Sequence, residues 1–88
     1  MILYLKRYNI ESKTVMLELR LFVKEKRKRV NLTQQVLAEK AGVGLRLVRD
    51  IEQGKTNLNM AGVNKVLALF GHELGPINSR EVERYEKS

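Results

Sequence analysis

The 88-residue sequence predicts an all-α fold of four or five helices, closed by a short C-terminal β-strand, with a second strand as one reading of its N-terminus. Three observations predict it. Apolar residues recur at helical spacing in four separate stretches. Residues that start or stop helices stand between those stretches: Asn31, Thr33, Gly42, Gly54, Asn59 and Gly71. The second and third stretches are joined by so few residues that their helices form one tight angular pair.

The opening MILYLKRYNI, with its aromatic and β-branched residues, reads as a strand. Ser12 or Thr14 can cap the helix that follows. That helix, about 14–29, carries Val15, Leu19, Phe22 and Val23 on one face, with Met16 beside them, and ends in the basic run KEKRKR. Asn31 stops it. Thr33 is a good N-cap for a second helix over 34–41, with Leu37, Ala38 and Ala41 inward, although Val36 leaves the capping box incomplete.

Gly42 supplies the positive φ that ends the second helix, and Val43 plugs the corner. The third helix, about 44–53, turns Val48 and Ile51 inward and ends at Gly54. Leu58 points inward from the loop KTNLN. Asn59 caps a fourth helix over 60–70, whose buried stripe is Val63, Val66, Leu67 and Phe70. Gly62 is expected to weaken that helix by up to ~1 kcal/mol relative to Ala. Gly71 ends it. HELGPI reads as a short strand, confined by Pro76 to an edge or a strand end. The layout is therefore an arm or strand over 1–13, a helical domain over 14–71, a dimerising strand over 72–77, and a polar tail over 78–88 that is a frayed helix or unstructured.

Composition narrows the chemistry. No cysteine excludes disulfides, and a single histidine excludes a His/Cys metal cluster. No apolar run approaches the ~20 residues that span a bilayer, and the start lacks the features of a signal peptide. The expectation is a cytoplasmic protein without metal or cofactor. So short a chain has little core to spare, and a second copy is the expected source of extra stability. The formal net charge is +7. Residues 1–59 hold 13 Lys and Arg against 6 Asp and Glu, whereas residues 60–88 hold 4 against 4. The whole excess lies in residues 1–59, the part of the chain that contains the paired helices, where it would attract phosphate backbones or anionic lipid, or act only as a solvated, solubilising surface.

A helix, a short turn and a second helix are the minimum for reading the DNA major groove, which is ~12 Å wide and admits one helix while the other braces it. Small Ala38 allows a close crossing, and Val43, Val48 and Ile51 lock the pair. Gly44, Leu45, Arg46, Arg49 and Asp50 are left outward.

With LTQQVLAEKAGV followed by RDIEQGK, residues 19–71 resemble the helix-turn-helix of the XRE family, which includes Cro and CI-type phage repressors with a lambda-repressor-like fold. The ending KVLALFGHEL is similar to a narrower branch, the HipB-like antitoxins. There a strand after the fourth helix pairs with its mate in a dimer. The resemblance implies a dimeric, sequence-specific transcriptional repressor with no enzymatic activity, acting as antitoxin and autoregulator of a toxin–antitoxin operon. The implied partners are double-stranded DNA carrying an inverted repeat, a second copy of the chain and a HipA-like toxin. The alternatives are a stand-alone or phage-type XRE repressor, an RNA-binding protein of the same fold, and a protein-interaction module whose basic face meets an acidic partner.

Residue by residue, the resemblance places Thr33 and Gln34 on the phosphate backbone, with Gln34 also open to a plain exposed role. Gly44, Leu45, Arg46 and Asp50 fall on the base-reading face. Arg49 lies beside it, reaching phosphate or a base edge or else pairing internally. Lys55 falls on a backbone-contacting position, and Arg27 with Glu52 on an internal ion pair. Gly44 departs from the family's usual Ser or Thr, and Leu45 from a commonly polar reader, which favours contact with a thymine methyl group. Asp50 either reads cytosine or holds Arg46 through an i, i+4 pair. The run KEKRKR is mostly solvated charge, and His72 is a surface or edge residue. Asp50 and Glu52 are no catalytic carboxylate pair, because they point apart and no nucleophile accompanies them. Gly42 and Gly44 lack the rest of a phosphate-loop pattern.

Overall fold

The computed structural model describes residues 7–76 and 78, with side chains from residue 18 onward. Four helices follow one another: α1 (Arg7–Arg29), α2 (Gln34–Ala41), α3 (Leu45–Glu52) and α4 (Met60–Ala68). No strand occurs among the described residues.

The caps fall where local chemistry demands. Thr33 is extended, and its hydroxyl accepts the Val36 N–H at 3.1 Å. Asn59 caps α4 in the same way through Gly62 N–H, at 2.8 Å. Each helix ends by reversing its handedness for one residue. At the end of α2, Gly42 has φ 73°, its N–H donates to Glu39 O, and Val43 N–H donates to Ala38 O at 3.0 Å. That pair of bonds is a Schellman closure, and it turns the chain sharply into α3. Asn31 (φ 59°), Gly54 and Gly71 close the other three helices with the same two-bond pattern.

The core is a contiguous cluster of Val23, Leu37, Ala38, Val48, Ile51, Val63, Val66 and Leu67, all buried. Leu19, Phe22, Val43, Leu58 and Phe70 pack against it half-buried, as does Leu47, which periodicity did not single out. Phe22 meets Phe70 edge to face at 6.3 Å, and the His72 ring lies 4.6 Å from Phe22 on the exposed side. Val15 and Met16 lie outside the described side chains.

Three expectations need correction. The N-terminal strand or arm is not formed over residues 7–13, which are the first two turns of α1; residues 1–6 lie outside the described region. Ser12 and Thr14, expected as caps, are inside the helix. No glycine or proline interrupts residues 7–29, and extending an existing helix is far cheaper than nucleating another element. Among residues 72–76 there is no strand either. A strand needs a neighbour to pair with. In the single chain Leu74 N–H instead donates to the Asn64 side chain at 2.7 Å.

Gly62 has a packing role beside its helix propensity. A Cβ built there would lie 2.5 Å from Leu47 Cδ2. The glycine therefore buys a close crossing of α4 over α3 and is not a plain loss of helix propensity.

Candidate nucleic-acid interface

α2 braces α3 through Ala38, Val48 and Ile51, all but inaccessible to solvent. This fixes which side of α3 is free. Arg46 and Arg49 are exposed, Leu45 and Asp50 are half-buried, and Gly44 is exposed at the N-cap. Residues 45, 46, 49 and 50 are one and four positions apart, so they share one face of the helix. Leu45 does not pack on the core, whereas Leu47 does.

Gly44 is extended, with φ −77° and ψ 151°, and makes no side-chain capping bond. The hydroxyl of a Ser or Thr is missing; Leu47 N–H donates to Gly44 O at 3.1 Å, and no cap side chain engages the first-turn amides of α3. Thr33 is exposed at the start of α2 and Lys55 is exposed after α3. Thr33 and Lys55 thus flank α3 in the chain as exposed side chains.

Behind this face lies a buried polar knot. Arg27 reaches from α1 to the end of α3 and forks onto Glu52. Its Nε donates to Oε2 at 2.7 Å, and one terminal nitrogen donates to Oε1 at 3.0 Å. The other terminal nitrogen donates to Leu32 O at 2.8 Å. Gln34 Nε2 also donates to Glu52 Oε1, at 3.0 Å. Burial pushes the Glu52 carboxyl up, but hydrogen bonds from Arg27 and Gln34, with the charges of Arg27 and Lys24, outweigh it and hold the group below its ordinary value. The hydrogen bond to Glu52 raises Arg27 in turn, against its own desolvation. Both groups are therefore charged at neutral pH.

The sequence-derived residues divide into two sets. Arg27, Glu52 and Gln34 form the knot; Arg46, Asp50 and Lys55 form an exposed chain of charge. In the second set Asp50 Oδ2 is 3.7 Å from Arg46 Nε, and Oδ1 is 3.5 Å from Lys55 Nζ. Arg49 makes no ion pair among the described residues. Gln34 stands apart from its expected place, since one amide proton is spent on Glu52 and only the second is available to a phosphate. The Gln34–Glu52 and Asp50–Lys55 contacts had no signal in the spacing. The first spans 18 positions, and the second crosses the turn at Gly54, where helical periodicity no longer applies.

Among the described residues no group of His, Cys, Asp or Glu could hold a metal ion, and no helix is long and apolar enough to cross a membrane.

A family model described as helix-turn-helix matches residues 23–74, beginning within α1 and ending past α4. No curated protein and no solved structure matches the chain. The match covers more than half of the sequence and all of the paired helices with their knot, so the chain belongs to the helix-turn-helix family, as a DNA-binding transcription regulator of the XRE type.

Proposed function

We propose that the chain is a dimeric, sequence-specific repressor that binds an inverted-repeat operator and serves as antitoxin and autoregulator beside a HipA-like toxin. The observation that carries the operator reading is the free face of α3. It presents Arg46 and Arg49 to solvent, with Thr33 before it and Lys55 after it. Arg46 supplies the main base choice as a bidentate donor to guanine, and Leu45 offers a carbon surface to a thymine methyl group. Thr33, Gln34 and Lys55 hold phosphates and set the register. Two copies place their third helices one DNA turn apart, ~34 Å.

The dimer reading is supported by the small core and by the segment from His72 to Pro76, whose backbone has no strand partner in the single chain. The antitoxin reading is supported by the KVLALFGHEL ending, which resembles that branch.

The test has two stages. A duplex is first selected from a random pool at ~0.15 M salt, where a merely basic protein binds every sequence weakly. The parent protein recovers an inverted repeat as a dimer. Arg46→Ala loses ~1–3 kcal/mol of site preference but keeps weak general binding. Recovery of no preferred site would defeat the operator reading. The adjacent open reading frame is then expressed with and without this chain. Growth arrest relieved by the chain, with co-purification, supports the antitoxin role; no arrest and no complex leaves a stand-alone repressor.

A further inference from the structure

The Asp50 carboxylate stands between two cations of the DNA-facing side. One oxygen faces Arg46 Nε at 3.7 Å and the other faces Lys55 Nζ at 3.5 Å. The backbone adds a third tie, because Lys55 N–H donates to Asp50 O at 3.0 Å where α3 ends. The Asp50 side chain is 22% exposed, whereas that of Arg46 is 83% exposed. Among the described residues Arg46 has no other ion-pair partner.

An ion pair this exposed contributes little to folding. Its effect is on the arginine itself. A long side chain loses rotamer freedom when it orders on a ligand, and a carboxylate one turn away restricts it before the ligand arrives. The carboxylate also has a second action. Ionised, it is an acceptor only and repels phosphates and base acceptors alike. Where Arg46 engages a guanine, the guanidinium stays beside Asp50 and screens it. Where Arg46 finds no partner, the carboxylate faces DNA unscreened, which penalises the wrong site.

We propose that Asp50 is a positioning residue, which presets Arg46 for the base edge, couples it to Lys55 on the backbone, and does not itself read cytosine. This rests on the reading of Arg46 as the principal base reader.

The test uses the full chain and two duplexes, the site that the parent selects from a random pool and a scrambled version of it. Asp50→Asn keeps the shape and removes the charge. It is expected to bind the scrambled duplex at least as tightly as the parent and to lose about 2- to 12-fold of site preference, the range for freeing one long side chain. In an Arg46→Ala background, Asp50→Asn is expected to change site preference no further. Additive losses, or loss confined to one base pair that persists without Arg46, would make Asp50 a reader in its own right and overturn the proposal while leaving Arg46's role intact. Unchanged site preference in Arg46→Ala would remove the base-reading assignment, and the positioning role with it.

Discussion

Arg27 and Glu52, 25 positions apart, clamp the end of α1 to the end of α3 through two hydrogen bonds of 2.7 and 3.0 Å. The same arginine holds Leu32 O, and the same carboxylate holds Gln34. One knot thus joins the first helix, the loop before α2, the start of α2 and the end of α3. It sets the angle at which α3 is offered, although the Glu52 side chain is only 4% exposed and would touch no ligand.

Removing Arg27 leaves Glu52 buried with Gln34 as its one remaining side-chain donor. Breaking one side of such a pair costs about 3 kcal/mol or more, which in a domain of this size lowers Tm by ~10 °C or more. Lys28→Ala, one residue on at an exposed position, is expected to change stability by no more than ~0.5 kcal/mol. Side-by-side thermal scans check this, and equal melting temperatures would refute the clamp.

The knot also predicts an acid limb. The folded Glu52 carboxyl titrates below its ordinary value of 4.5. Its contribution is therefore complete above the unfolded value and is lost as pH falls from about 4.5 through the lower folded value. Arg27 is shifted upward from its already high ordinary value and stays charged throughout this range. Denaturation curves between pH 7 and pH 3 should fall more steeply for the parent than for Glu52→Gln, which is less stable at neutral pH but has no proton to gain. Parallel curves would mean that Glu52 does not carry the acid sensitivity.

At Gly44 the backbone is already that of an N-cap, and a Cβ added there meets nothing within 4 Å. Gly44→Ser is expected to stabilise the chain by ~0.5–1 kcal/mol, through a few tenths from the new cap and the rest from restricting the unfolded chain. Calorimetry should show Tm raised by a few degrees; a lower Tm would show that the open cap is not the weakness it looks.

Gly62→Ala should fail to deliver the ~1 kcal/mol that alanine normally gains over glycine in a helix. Leu47 Cδ2 occupies the place of the new methyl group, and Leu47 is packed against the core. The check is a double-mutant cycle with Leu47→Ala. The glycine substitution is expected to be neutral or destabilising alone and stabilising once Leu47 is shortened. A gain of the same size in both backgrounds would mean that the two residues do not compete.

Much of this protein was legible in the sequence because much of it is local. Thr33, Gly42, Asn59 and Gly71 act on backbone groups within a few residues, so their positions alone indicated where α2 and α4 start and where helices stop. The inward set of Leu37, Ala38, Val48, Ile51, Val63, Val66 and Leu67 followed from period 3.6 in the same way. The outward face of α3 was what remained once that set was subtracted. The pairing of Arg27 with Glu52 did not come from spacing; family resemblance suggested it, and the coordinates supply its geometry.

Other features depend on what the folded chain brings together. Aromatic and β-branched residues near the N-terminus suggested a strand, but residues 7–13 continue α1, because helix propagation outweighs weak local preference when nothing breaks it. Only the crossing of α3 and α4 shows why position 62 is glycine, and only the fold turns Gln34 toward Glu52 and sets Asp50 between Arg46 and Lys55. Sequence specified the helices and their free face through bonds that close within a turn. Tertiary structure decided how that face is aimed and charged, because those contacts join residues that periodicity cannot relate.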